Sequence, residues 1–525
     1  MLRKISFIAV AGLVLAGCGS SNSGTDAKDV PRDNAIDQGG ADNPPAEDTA
    51  DTGAGDTAAP DVAGDAPTDN ATSDDTAPDA ADDTAPDGGS DVAPDTAPDE
   101  ASGDGGSDVA PDTAPDAAPD ASGSDVAPDS VPDAAPDAPV DNAPDAVIDH
   151  GAPELPETAF HWPSMPPASN PFSASTSIRE VVFTGRHALY GQGDTFIPTW
   201  GSDDNIYTPF TYGTVDNVNS GSGFGWAKFT GSDPLNLTVA GAGTINVGAP
   251  GPYYGAFPSA SVILNGVWYY GGSGEDGFNG TCGYWCVGGP FLGFWTSTDY
   301  GAHWTAPPDG YAGSLFGETD LNGGKVKMGG PRAVDFGKEM QHSPDGKIYF
   351  IGTGATDPNA TDNWVTGDQI YMARVTLTPS TANDVSAWEF FAGRDGGGNA
   401  IWSSSFASIQ PLLEWKNQMG SLWMTYIAPL KKYLLAVSRP HDGFNNYGGF
   451  DTFFLESDSV SGPFRMVQYL QNFGVGAYYV TMPSRFISDD GRTAWIEYSS
   501  GDFTTEDPPG SRYAMSFQEV VLDLF

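Results

Sequence analysis

Beyond about residue 157 the chain reads as short apolar or alternating runs separated by Gly, Asp, Asn and Pro. Runs of this length, rich in Tyr, Phe, Trp, Val and Ile, predict β-strands. They fall at Arg179–Phe183, Ser261–Tyr270, Gly293–Ser297, Lys347–Thr353, Gln369–Leu377, Leu422–Ile427, Lys432–Ser438, Thr452–Ser457, Tyr478–Met482, Thr493–Ser499 and Ser516–Leu524. Ala428-Pro429-Leu430-Lys431 separates two of them and predicts a hairpin. No stretch sustains helical periodicity.

Three turns recur in similar form. They are Ser297-Thr298-Asp299-Tyr300-Gly301-Ala302-His303-Trp304, Ser343-Pro344-Asp345-Gly346-Lys347 and Ser488-Asp489-Asp490-Gly491-Arg492. The first resembles the Asp-box of sialidases, S-x-D-x-G-x-x-W, at every fixed position. Such a turn is structural: the Asp caps backbone, the Gly bends, and the Trp packs beneath. Strands repeated at this spacing predict an all-β fold, a five-bladed β-propeller. The units expected are 177–232, 233–328, 329–397, 398–470 and 471–525. The strand Ser516–Leu524 is placed to close the ring against the N-terminal part of the domain. A β-sandwich is the rival architecture, for which 368 residues is unusually long.

Composition divides the chain. From about Gly19 to Pro156 it is Asp, Ala, Pro, Gly, Ser and Thr, and Asp-Val-Ala-Pro-Asp-Thr-Ala-Pro-Asp occurs at 91–99 and 108–116. Of 61 aromatic residues, 60 lie after residue 157, so only the later part can build a core. Residues 1–157 carry 36 acidic and 4 basic side chains, against 34 and 18 in residues 158–525. A segment so acidic and so poor in apolar groups cannot offset its ordering entropy, so residues 18–157 are expected to form a disordered acidic stalk. As a flexible chain its reach is roughly 60–70 Å. The acidity, net −48, excludes a nucleic-acid partner, which calls for a basic patch.

The N-terminus adds an address. Arg3 and Lys4 precede an apolar run, Ile5–Leu15, that ends in Leu15-Ala16-Gly17-Cys18. The pattern reads as a secretory signal over residues 1–17, too short to span a bilayer. Leu-Ala-Gly-Cys resembles the bacterial lipobox, which implies lipidation of Cys18. Gly19, in place of Asp, implies by the same resemblance the outer membrane or cell surface, with the lipid as the sole membrane contact. In an exported chain Cys282 and Cys286 are expected to pair as a local disulfide. No metal cluster or cofactor motif is apparent, and no nucleotide loop or nucleophile elbow. The many Asp turns allow a structural calcium ion at no position the sequence specifies. Nothing in the sequence calls for a state other than a monomer.

An ordered set of segments carries a resemblance. It runs from Gly193-Asp194-Thr195-Phe196 through Val334-Asp335-Phe336-Gly337-Lys338 and Ser343-Pro344-Asp345-Gly346-Lys347-Ile348-Tyr349. Asp368-Gln369-Ile370-Tyr371-Met372-Ala373-Arg374-Val375 and Trp388-Glu389-Phe390-Phe391-Ala392-Gly393-Arg394-Asp395 follow. Trp402-Ser403, Thr425-Tyr426, Lys432-Tyr433-Leu434-Leu435 and Ser461-Gly462-Pro463-Phe464 complete it. The set resembles the bacterial family catalogued as domain of unknown function 4185, over most of residues 177–525. Some of its members are endo-D-arabinanases on a five-bladed propeller. The resemblance implies a glycan-directed protein whose partner is a polysaccharide. One departure stands out: those members carry an acid upstream of the Gly-Asp-Thr motif, and here Phe172–Ile178 contains neither Asp nor Glu, Glu180 being the nearest.

Glycoside hydrolysis calls for two carboxyl groups. Asp194 is the leading catalytic candidate, with Asp204 (beside Asp203) and Asp335 as further acids. Each also has a plain reading as a turn residue. Glu275 and Asp276 read as loop solvation. Sugar sites also use aromatic platforms and planar polar groups, for which Trp200, Trp402, Tyr426, Arg332 and His342 are candidates, although most propeller aromatics are core. Two functions stay open: a surface-anchored glycoside hydrolase on furanose-rich, arabinan-like polysaccharide, and a non-catalytic propeller that binds glycan or protein.

Overall fold

A computed structural model describes residues 153–525 apart from 222, 248–254, 276–287, 309–312, 319–325, 358–364 and 442–448. Cys18, Cys282, Cys286, Asp276 and the stalk up to residue 152 lie outside the described residues, as does the side chain of Glu275. The chain enters through β1 (Ile178–Tyr190). The first blade holds β2 (Gln192–Asp194), β3 (Thr199–Trp200), β4 (Ile206–Val215), β5 (Val218–Asn219), β6 (Phe224–Thr230) and β7 (Thr238–Ile245). The second holds β8 (Gly255–Leu264), β9 (Val267–Glu275) and β10 (Gly288–Ser297), with Thr305 bridging Thr296 at its outer edge. The third holds β11 (Gly329–Ala333), β12 (Ile348–Gly354), β13 (Gly367–Val375), β14 (Trp388–Arg394), β15 (Ala400–Ser403) and β16 (Leu413–Met419). The fourth holds β17 (Ser421–Ile427), β18 (Lys432–Pro440), β19 (Phe450–Ser457) and β20 (Arg465–Leu470). The fifth holds β21 (Tyr478–Thr481), β22 (Thr493–Ser499) and β23 (Met515–Leu524).

The five sheets make a five-bladed β-propeller. Each sheet runs outward from its first strand, and β1 completes the fifth as its outermost member, in the order β1-β23-β22-β21. β1 and β23 pair antiparallel from Ile178↔Leu524 to Tyr190↔Met515. The expectation that Ser516–Leu524 closes the ring is met. Among the described residues the only helical segments are short 3₁₀ turns, in keeping with the missing helical period.

Two expectations need correction. Ser261–Tyr270 is not one strand but the hairpin β8–β9, turned by Asn265 (φ 53°) and Gly266 (φ 75°). Asn-Gly tolerates the left-handed backbone that such a turn requires. The blade limits also shift. The unit 177–232 contains β1, which belongs to the last blade, and lacks β7, which belongs to the first. The third blade runs on to Met419, because β16 pairs with β13. A cut made in sequence order cannot see a ring that borrows its last strand from the start of the domain.

Inter-blade space is filled by aromatic side chains. Trp304, at the end of the Ser297 turn, packs on Trp226, Trp268 and Tyr270. Asp299 in that turn accepts from the His303 N–H at 2.9 Å, and Ser297 Oγ accepts from the Gly301 N–H at 2.8 Å. At the closure, Phe183 of β1 is fully buried, stacks on Phe160 at 5.1 Å and meets Phe473 at 5.3 Å. Phe183→Ala should therefore cost about 3–5 kcal/mol of stability in chemical denaturation. A cost under about 1 kcal/mol, the range of surface changes, would mean that β1 is not part of the closed ring.

Candidate functional site

The first strands of the blades surround the axis. β17 and β21 run side by side in one direction: the Tyr479 N–H donates to Ser421 Oγ at 3.0 Å, and Thr425 Oγ1 donates to the Met482 carbonyl at 2.6 Å. Asp335, just past β11, forms a parallel bridge with Thr425. These strands share a starting end and a finishing end, and the sequence candidates divide between them.

Asp194 closes β2 at the starting end. Its position depends on a close approach of β2 to β4, where a Cβ on Gly213 would stand 1.9 Å from the Gln192 carbonyl. Only glycine fits there. Asp194 Oδ2 accepts from the hydroxyls of Tyr478 (2.8 Å) and Tyr513 (3.1 Å). The Tyr513 hydroxyl also reaches the Tyr212 carbonyl, 3.2 Å away. Asp194 Oδ1 is out of solvent and has no hydrogen-bond partner of good geometry, although Thr195 lies close by. The residue as a whole is half-buried.

Burial disfavours the charged carboxylate and pushes its pKa up to about 7; the Tyr478 and Tyr513 hydroxyls and the nearby Thr195 pull partly in the other direction. No carboxylate is among the groups that shift it. The two phenols are raised well above their usual value, first by burial and then by the adjacent carboxyl.

The backbone around Asp194 is strained. Thr195 (φ 54°), Tyr212 (φ 48°) and Tyr479 (φ 53°) all lie in the left-handed region, which a β-branched or aromatic residue rarely enters. Such strain concentrates where a structure holds groups for function. Two ring pairs lie on residues of this neighbourhood. Tyr212 stacks on Phe257 at 5.5 Å, and Tyr513 meets Phe503 at 4.6 Å. Arg332, fully buried on β11, lies 4.4 Å over the ring of Tyr479, the neighbour of Tyr478.

The other candidates are elsewhere. Trp200, Asp335, Ser484 and Arg485 line a tight crevice at the finishing end. There Arg485 stands 4.8 Å over Trp200. Asp335 is tied by the Ser484 N–H (2.8 Å), Ser484 Oγ (2.7 Å) and the Gly337 N–H (2.9 Å), and burial raises its pKa. Asp204 is exposed and bonded to Lys338 Nζ at 2.7 Å, which lowers its pKa. His342 and Tyr426 approach each other at 6.2 Å, and His342 also lowers the Asp335 pKa. Trp402 lies on β15 in the outer part of the third blade, under Arg374 at 3.9 Å. Glu180, the nearest acid upstream of Asp194, is on outermost β1 and pairs with His161. Of the residues singled out in the sequence, only Arg332 joins Asp194 through this chain of contacts.

No motif in the sequence marks Tyr478, Tyr479, Tyr513, Tyr212 or Phe503. Tyr478 and Tyr479 lay in an expected strand and read as core; Tyr513 and Phe503 lie in a loop with no motif. Glu497 and Glu318 are carboxyls with raised pKa values that no local sequence pattern marks. Glu497 on β22 is held by Thr481 Oγ1 at 2.8 Å, and burial raises it to about 8. Glu318 accepts from the Lys327 and Met328 N–H groups, and burial raises it to about 7. Among the described residues no group of three His, Cys, Asp or Glu side chains is arranged to hold a metal ion. A cleft of about 480 Å³ lies in the third blade, lined by Asp368, Gln369, Glu414 and Lys416 among others, away from Asp194.

No family model matches the chain, and no curated protein matches it. Solved structures similar to it include the alpha-L-arabinofuranosidase of Podospora anserina in complex with cellotriose. That protein is 13% identical over 70% of this chain and 98% of its own, with a TM-score of 0.35. The catalytic domain of the Coprinopsis cinerea GH62 alpha-L-arabinofuranosidase is 12% identical over 70% of this chain and 99% of its own, with a TM-score of 0.36. The xylan beta-1,4-xylosidase of Bacillus halodurans is 10% identical over 63% of this chain and 52% of its own, with a TM-score of 0.34.

Tyr513→Phe removes a hydrogen bond that favours the charged form of Asp194, so its titration should move upward. Carboxyl-carbon NMR of Asp-labelled protein should show a midpoint at about 7 in the wild type and a higher one in the variant. A wild-type midpoint near the ordinary value of 3.8 would contradict the burial of this carboxyl.

Proposed function

We propose that the Asp194 end of the propeller is a glycan site, and that the chain is a glycoside hydrolase on a furanose-rich, arabinan-like polysaccharide. The observation that carries this reading is Asp194 itself: a carboxyl with a pKa of about 7, one oxygen fixed by two phenols and the other out of solvent beside Thr195. A group of that pKa exchanges a proton readily at neutral pH, as a general acid must. In this reading protonated Asp194 gives its proton to the leaving glycosidic oxygen, and Tyr478 and Tyr513 hold the carboxyl in place. The resemblance of Gly193-Asp194-Thr195 to the arabinanase-containing family supports the same residue.

A second reading, glycan binding without hydrolysis, is favoured by one observation. No carboxylate among the described residues perturbs Asp194, whereas hydrolysis usually employs a pair. In either reading we propose that Cys18 carries lipid and that residues 19–157 hold the propeller away from the outer membrane. A Cys18→Ser chain should then take up no labelled palmitate; uptake equal to wild type would end that proposal.

Release of sugar from arabinan and arabinogalactan by the purified full-length protein tests the main reading. Wild type should release reducing ends and Asp194→Asn none. Because the acid must be protonated, wild-type kcat/KM should fall as pH rises through about 7. Equal release by the two proteins would remove Asp194 from the mechanism. Binding without release by wild type would select the second reading.

A further inference from the structure

Phe503 is an exposed aromatic, with 51% of its surface open to solvent. A single exposed apolar residue is ordinary, but this one is fixed in place and points to the site. Its loop is braced from within: the N–H groups of Thr504 and Thr505 donate to Asp502 Oδ1 at 2.7 and 3.0 Å. Across the loop's neck, the Tyr513 N–H donates to the Asp502 carbonyl at 2.7 Å and the Ser500 N–H to the Arg512 carbonyl at 3.0 Å. Further along, the Gly510 N–H donates to Glu506 Oε2 at 3.0 Å.

The Phe503 ring lies 4.6 Å from the Tyr513 ring, tilted by 34°. Tyr513 in turn holds Asp194 Oδ2 and the Tyr212 carbonyl through one hydroxyl. An exposed ring is thus coupled through one residue to the Asp194 carboxyl.

We infer that Phe503 and Tyr513 form a stacking platform for a sugar residue adjoining the one at Asp194, and that the glycan accepted there is uncharged. The first part rests on the glycan reading of the Asp194 end. The C–H face of a sugar ring covers an aromatic face without burying a hydroxyl, and a rigid ring loses little conformational freedom when covered. The charge of the loop sets the second part. It carries Asp502, Glu506 and Asp507, with Arg512 as its only cation, and Arg512 is engaged by Glu506. Residues 158–525 are themselves net acidic. A uronate or sulfated chain would meet like charge on approach, whereas a neutral pentose or hexose polymer would not.

Affinity electrophoresis of the full-length protein through gels of arabinan, xylan and polygalacturonate tests both parts. Wild type should be retarded by a neutral polymer and not by polygalacturonate. Phe503→Ala should raise the apparent Kd for the neutral polymer on the order of ten-fold, the loss of one interface anchor. Phe503→Trp should restore it, and all three proteins should share one melting temperature. Undiminished retardation of Phe503→Ala would overturn the platform while leaving the Asp194 reading intact. Tighter retardation by polygalacturonate would overturn the uncharged ligand. A wild type that neither binds nor cleaves any of the three polymers would overturn the platform and the glycan reading together.

Discussion

The pairing of β1 with β23 is the constraint on which the molecule depends. It ties the start of the domain to its last blade, which converts five sheets strung along a chain into a closed ring, and it covers the edge of β23. Closure also sets the neighbours at the axis. The last blade is brought against the first, so Tyr478 of β21 and Tyr513 before β23 reach Asp194 of β2. Those contacts span 284 and 319 residues of sequence. Without the closing strand there is no pocket for that carboxyl, and with no burial its pKa has no reason to leave the ordinary range.

The same geometry gives the two ends of the axis different chemistry. At the finishing end the carboxyls are engaged, Asp335 by Ser484 and Gly337 and Asp204 by Lys338, and Arg485 lies over Trp200. Its carboxyls are bonded on the protein's own groups, although Trp200 Nε1 and Arg485 Nε are buried without a hydrogen bond of good geometry. At the starting end one buried carboxylate oxygen has no hydrogen bond of good geometry, and three non-glycine residues around it, Thr195, Tyr212 and Tyr479, sit in strained backbone. Strain and an unbonded buried oxygen cost stability, so they persist where a ligand or a reaction uses them. Asp194, Glu318 and Glu497, like Asp335, are buried carboxyls with raised pKa values and act in the same direction on stability. Each binds its proton more tightly folded than unfolded, so stability falls as pH rises from the ordinary carboxyl range through about 7 or 8 and levels off above.

Much of the fold could be read from residue pattern. Short apolar runs such as Lys432–Ser438 and Thr493–Ser499 fall within strands, and the ring-closing strand is legible at the C-terminus. The Asn265-Gly266 turn was legible too, yet the apolar residues on both sides masked it as one run. Strands such as β7, Thr-Val-Ala-Gly-Ala-Gly-Thr-Ile, are too poor in large apolar residues to declare themselves. For the site, Asp194 was legible because its glycine and threonine neighbours are local. Its phenol partners were not, because no local rule links Tyr513 to a residue three hundred positions earlier. Asp204, Asp335, Trp200, His342 and Tyr426 looked alike in sequence, and only the direction of the inner strands separates them from Asp194.

The claim at the centre is that glycan meets the propeller at the starting end of its axis, over Asp194. A crystal structure of the full-length Asp194→Asn protein soaked with an arabino-oligosaccharide addresses it most directly. The expected result is a sugar at that end, with a glycosidic oxygen about 3 Å from the side chain of residue 194. A sugar seated instead on Trp200 and Arg485 at the opposite end would contradict it.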